Sequence, residues 1–209
     1  MNDSVILVDD NDEEIGYGGK MQVHKNGQLH RAFSLFIVNQ ENKVLIQKRA
    51  SNKYHSGGLW TNACCSHPRE GENIEAAIRR RVLEELGLDI SDSLSYEINE
   101  LGNFKYTKHF DEYTEYEIDH VFLLYVSDHV VFHPNADEIE ELKWIDLWDL
   151  GDWLLSNPDD FTAWFFAVYN MYVWKEIWNC TMMCSAIREE LSTLLRQRME
   201  DICYVGPYI

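Results

Sequence analysis

The apolar and polar positions divide the chain into strands and helices of distinct period. Residues 5–8 form a short apolar run closed by the acidic stretch 9–14, which predicts a strand leading into a hairpin. Residues 31–38 and 43–48 are longer apolar runs separated by Asn39, Gln40, Glu41 and Asn42, the pattern of paired strands at the centre of a sheet. Between them and the next strand, residues 48–58 form a loop. Residues 60–68 end at Pro68, which no helix interior accepts, so this segment is expected to be extended. Residues 72–86 are rich in Ala, Ile, Leu, Glu and Arg and stop at Gly87, the residue expected just past a helix C-terminus. Strand pieces follow at 96–104 and 106–108, then a turn at 111–114 and strands at 115–126 and 138–145. Helices are expected at 147–156, ending before Asn157 and Pro158, at 161–169, and at 174–199. The last carries Ile187, Leu191, Leu194, Leu195 and Ile202 at helical spacing, so an amphipathic face packs either on its own domain or on a second copy.

Period also assigns faces. Side chains alternate along an extended segment, so Cys65 and His67 point to one side and Cys64 to the other. Cys65 is therefore the thiol expected to share a pocket with His67. The same rule puts Glu115 and Glu117 together, an arrangement whose ordinary use is a cross-strand ion pair. On the 72–86 helix, a spacing of four places Arg81 over Glu85 and Arg80 over Glu84.

Composition narrows the function classes. A chain of 209 residues supports one domain with a core, with room for an appendage. With 45% hydrophobic and 13% aromatic residues it is globular. A net charge of −18 disfavours nucleic acid and anionic membrane as partners. Two short basic runs, Lys48, Arg49 and Lys53, then Arg79, Arg80 and Arg81, suit an anionic small molecule instead. The acidic stretch 9–14 lacks the glycine and closing glutamate of a calcium loop and reads as a solvated turn. Five cysteines, two of them adjacent, do not resemble a secreted disulfide framework, and the N-terminal residues show no basic leader. No apolar run approaches the ~18 residues of a membrane span, so a cytoplasmic protein is expected.

Residues 66–88 resemble a Nudix box. Glu72, Arg80, Val82, Glu84, Glu85, Gly87 and Leu88 match it, while Ser66 replaces the first glycine and Arg81 replaces the glutamate after the box arginine. These departures, with Trp60, Asn62, Cys64, Cys65 and His67 ahead of the box, resemble the type 1 isopentenyl-diphosphate isomerases, from about residue 5 to about residue 169. The resemblance implies an α/β (α+β) Nudix fold, a mixed β-sheet sandwiched between helices, here with an extra C-terminal amphipathic helix. It divides the chain into an isomerase domain, 1–172, and a helical extension, 173–209.

The resemblance also implies roles. His24, His30, His67, Glu115 and Glu117 match metal ligands, a nitrogen and oxygen set suited to Mn²⁺, Mg²⁺ or Zn²⁺. Glu85 matches a ligand of a Mg²⁺ bound with the diphosphate, and Lys20, Arg49, Lys53 and Arg81 match its cationic contacts. Cys65 and Glu117 match the proton-exchanging pair, Tyr106 a hydrogen-bonding partner, and Trp164 an aromatic face toward the substrate. Flavin is not expected, because no nucleotide-binding glycine pattern is present. The alternatives are a Nudix pyrophosphohydrolase, which Arg81 disfavours and which leaves Cys65 idle, and a non-catalytic binding scaffold. A monomer or a homodimer through the tail is expected.

Overall fold

The computed structural model describes residues 3–179. Strands β1 (Ser4–Val8) and β2 (Glu14–Gly19) form an antiparallel hairpin at the edge of a nine-stranded mixed sheet. The apolar pattern gives no strand at β2, because three glycines interrupt it. One of them, Gly18, is required by packing: a Cβ there would lie 2.5 Å from Val23 Cγ2. That close approach seats α1 (Lys20–Asn26) against the hairpin, and α1 delivers Lys20 and His24. Seven residues are too few for a periodic signal, so this helix is invisible in the pattern.

The centre of the sheet is β3 (His30–Val38). It meets β4 (Lys43–Arg49) only at the hairpin tip, through Ile37 and Val38. Beyond that point this edge of β4 turns away to pair with β5 (Trp60–Asn62), while its other edge pairs with β9 (Ile139–Asp146) along its whole length. The freed edges of β3 take β6 (Cys64–Ser66), antiparallel, on one side and β8 (Thr114–Tyr125), parallel over nine residues, on the other. The extended segment 60–68 is thus two strands, with Cys64 turned into one core and Cys65 against the other.

Both faces of the sheet are covered. Phe33, Leu35 and Ile37 pack toward α2 (Ile74–Leu86), whereas Phe36 and Val38 pack toward α3 (Leu147–Ser156) and α4 (Phe165–Asn179). Helix α2 begins two residues later than its composition implies, because Asn73 caps it, its Oδ1 accepting from Ala76 N at 2.8 Å. Glu72 lies ahead of the helix and accepts from Arg69 N and Arg80. The helix ends at Gly87, φ 63°, where a Cβ would strike His133 O at 2.5 Å.

Strand β7 (Ile98–His109) is one strand with a bulge between Glu100 and Gly102, not two pieces. The aromatic helix starts at Phe165 instead of 161, because Phe161 bridges to Trp60 in extended form. Helix α4 continues through 172 and 173, where the domain boundary is expected. The rest of the extension, with the expected amphipathic face and dimer contact, lies outside the described residues. Among those described, no helix is long and apolar enough to cross a membrane.

Candidate active site

Along the face of β3 turned toward α3 and α4, the side chains run His30, Ala32, Ser34, Phe36, Val38. The last two are core; the first three are small or polar. Beside them β8 presents Glu115, Glu117 and Asp119 before it too becomes apolar at Val121 and Leu123. The change from large apolar to small polar leaves a cavity of about 50 Å³, lined among others by Lys20, Ala32, Arg49, Cys65, His67, Tyr106, Glu117, Asp119 and Trp164. Tyr54, exposed on its outer side, forms part of the wall.

Cys65 and Glu117 reach this cavity from strands on opposite sides of β3, their registers anchored at Ser34 and His30 respectively. Burial pushes the Cys65 thiol up to about 12, with Arg49 opposing, so it keeps its proton at neutral pH. Tyr106 lies opposite Glu117 in the β7–β8 pair and donates its hydroxyl to Glu117 Oε2 at 2.8 Å. Burial, then the Glu117 charge, raises the Tyr106 hydroxyl well above its ordinary value, which keeps it a donor.

His24, His30, His67, Glu115 and Glu117 each offer one ligand atom, all within 4.8 Å of one another. The donors are prearranged. His24 Nδ1 donates to Lys20 O at 2.7 Å and His30 Nδ1 to Gln28 O at 2.8 Å, so each ring turns an Nε2 lone pair inward. These inward atoms meet other acceptors: His24 Nε2 lies 3.5 Å from Glu115 Oε1, and His30 Nε2 lies 3.3 Å from Glu117 Oε1. His24 Nε2 is buried with no hydrogen-bond partner. Burial opposes charge on His24, but Glu115 beside it wins and raises its pKa. Burial, then the Lys20 ammonium beside it, holds His67 well below its usual value and so neutral. Burial also pushes Glu117 upward, yet the imidazoles of His30 and His24 beside it hold it below the carboxylate range. Facing lone pairs, a neutral imidazole and two adjacent carboxylates fit a divalent cation.

The expected diphosphate contacts divide into two groups. Lys20 and Arg49 line the cavity, and Arg49 stands 5.5 Å over the Trp164 ring with its buried Nε unpartnered. Lys53, Arg81 and Glu85 do not line it. Arg81 bonds Glu85 at 2.5 Å and Glu84 at 2.7 Å, and Glu138 bonds Lys53 and lies 3.5 Å from Arg81. Carboxylates of the chain itself therefore engage both cations.

Known proteins of similar sequence identify the family. The NUDIX domain model matches residues 28–165. The chain is 40% identical over 178 residues to Isopentenyl-diphosphate Delta-isomerase 2 of Photorhabdus laumondii, covering 85% of this chain and 96% of that one. It is 46% identical over 165 residues to Isopentenyl-diphosphate Delta-isomerase 1 of Aromatoleum aromaticum, covering 78% and 89%. The chain belongs to the isopentenyl-diphosphate Delta-isomerase family of Nudix proteins. Among solved structures, DR0079 of Deinococcus radiodurans superposes with a TM-score of 0.58 at 18% identity, covering 73% of this chain and 89% of that one. That likeness concerns the fold alone.

Three residues around this Nudix-family site have no role in the sequence reading. Asp119 follows Glu115 and Glu117 on the same two-residue period, so its place on the cavity was readable. Burial, then the charge of Glu117, raises its carboxyl well above the usual range, and Ser34 Oγ donates to it at 2.8 Å. Glu138 and His55 carry no periodic signal. Glu138 is the turn residue just before β9, and His55 sits in the irregular loop before Trp60.

Proposed function

We propose that this chain interconverts isopentenyl diphosphate and dimethylallyl diphosphate by adding a proton at one carbon and removing one at another. The observation that carries the reading is a protonated thiol, Cys65, and a carboxylate, Glu117, facing one enclosed cavity from opposite sides of β3. Moving a double bond needs both: a proton joins the terminal alkene carbon, and another leaves the adjacent methylene, with no net change in composition.

The intermediate resembles a tertiary carbocation that water would trap. The cavity is small and mostly enclosed by buried side chains, and Trp164 offers an indole face whose attraction for a cation reaches ~2 kcal/mol when desolvated. A divalent ion held by His24, His30, His67, Glu115 and Glu117 would supply fixed positive charge at the carboxylates, and a Mg²⁺ at Glu85 would do so at the diphosphate. Tyr106 orients Glu117 through its hydrogen bond. Lys20 and Arg49 supply cations from the cavity wall; Lys53 reaches the diphosphate by leaving Glu138, and Arg81 by leaving Glu84, Glu85 and Glu138. Domain 1–172 carries the whole reaction, with 173–209 as an extension.

Arg81 stands where a hydrolase of this fold needs an acid to organise water, and a cation there favours keeping the diphosphate attached. The test is to incubate the metal-supplemented protein with isopentenyl diphosphate, following the alkene by NMR and free phosphate in the same tube. Alkene migration without phosphate release is expected. Phosphate release with an unmoved alkene would replace this reading with the pyrophosphohydrolase one.

A further inference from the structure

His55 lies outside the five-residue cluster yet makes its shortest contact. Its Nε2 lies 2.6 Å from Glu115 Oε1, with both side chains almost wholly buried. On the other edge of the ring, Nδ1 lies 3.2 Å from Ser56 Oγ, a hydroxyl able to donate to it. That assigns the ring proton to Nε2, which donates to the carboxylate. The ring is fixed in orientation as well: it stacks on Phe110 at 4.9 Å with 18° between planes and stands edge-on to Trp164 at 6.1 Å. Its backbone oxygen accepts from Arg49 Nη2 at 3.4 Å.

We propose that His55 is a positioning residue for the metal centre, holding the Glu115 carboxylate by an Nε2–H hydrogen bond and tying the 50–59 loop, with Arg49, to that centre. The inference rests on the metal-site reading above. Three features favour positioning over a sixth ligand. His55 Nε2 spends its proton on Glu115, the ring is not one of the five whose ligand atoms lie within 4.8 Å, and its stacking on Phe110 aims the proton at a single oxygen. A carboxylate held at one oxygen loses rotational freedom, so less is lost when it coordinates an ion. A loop residue whose side chain fixes a metal ligand while its backbone holds Arg49 joins the metal centre to that cavity wall through a single residue.

The test is a titration of metal-stripped full-length protein with Mn²⁺ against a competing chelator, comparing wild type with three variants. His55→Phe keeps the stack and removes the donor. His55→Asn keeps polarity but cannot span to Glu115. His55→Gln restores a donor at nearly the original reach. The first two should bind Mn²⁺ about 10–100-fold more weakly, the range found when an outer partner of a metal ligand is removed, with His55→Gln recovering most of the loss. Melting of the metal-free forms checks that each variant folds. If wild type binds Mn²⁺ and folded His55→Asn or His55→Phe binds it equally well, the positioning role is overturned while the metal site stands. If wild type binds neither Mn²⁺, Zn²⁺ nor Mg²⁺, the metal-site reading fails, and this inference with it.

Discussion

One face of the sheet shows two regions built from the same strands. Toward one end, Phe36 and Val38 of β3 and Val121 and Leu123 of β8 pack with Phe165, Tyr169 and Tyr172 of α4. Toward the other, the same strands present His30, Ala32, Ser34, Glu117 and Asp119 around a cavity. Register is continuous across both, from His30↔Glu117 to Val38↔Tyr125, so the backbone does not distinguish them. Side-chain volume and polarity do. The apolar end gains from burial and close packing; the polar end gives that up and carries the cost of buried charge. Of the seven buried side-chain atoms without a hydrogen-bond partner among the described residues, five, His24 Nε2, Arg49 Nε, His67 Nδ1, Asp119 Oδ1 and Trp164 Nε1, belong to the polar end. Unsatisfied groups gathered in one place mark where a ligand completes the structure.

Substitutions should separate the two ends. Cys65→Ala should lower the rate of alkene migration about 10²–10⁴-fold, the usual contribution of a general acid or base, while the melting temperature hardly moves. A variant retaining a tenth of the wild-type rate would remove Cys65 from the chemistry. Phe36→Ala should do the reverse. Fully buried against Phe165 and Tyr172, it should cost about 3–5 kcal/mol in urea denaturation, with KM of the folded fraction near wild type. A control away from both ends is Asn73→Ala, which removes the α2 cap and should cost about 1 kcal/mol without altering turnover.

The smallest effect concerns the clasp between the β1–β2 turn and the sheet. His120 Nε2 lies 2.9 Å from Asp12 Oδ2, its Nδ1 lies 2.7 Å from Glu100, and Arg31 bonds Asp12. Burial disfavours charge on His120, but the hydrogen bonds to Asp12 and Glu100 win and raise its pKa. Its contribution is therefore complete below the unfolded value of about 6.5 and is lost as pH rises through the folded value. For Asp12, burial opposes ionisation while His120 and Arg31 favour it, and its pKa falls; that contribution is lost as pH falls through the depressed value. Melting temperature should exceed that of His120→Gln near pH 6, with the gap narrowing above neutrality. A gap that widens with pH would contradict the assignment.

The polar end was more legible than its setting. Two-residue alternation separated Cys65 from Cys64 and paired Glu115 with Glu117, because strand parity survives whatever sheet the strand joins. The roles of the ion ligands and cations came from resemblance, since single histidines carry no period. Helix α1 was illegible because it is short and lacks a side-chain cap, and the split of β4 away from β3 is a topological choice that local pattern does not encode. The engagement of Lys53 and Arg81 by Glu138 depends on a contact across 85 residues for Lys53, which no sequence window reaches.

The measurement that tests the account most directly is the reaction in deuterated water, comparing wild type with Cys65→Ala. Wild type should place solvent deuterium in the carbon skeleton of dimethylallyl diphosphate and in returned isopentenyl diphosphate, with the diphosphate intact, and Cys65→Ala should show almost no label at equal metal content. Alkene migration without deuterium, or unchanged labelling by Cys65→Ala, would contradict proton exchange at the polar end of the sheet.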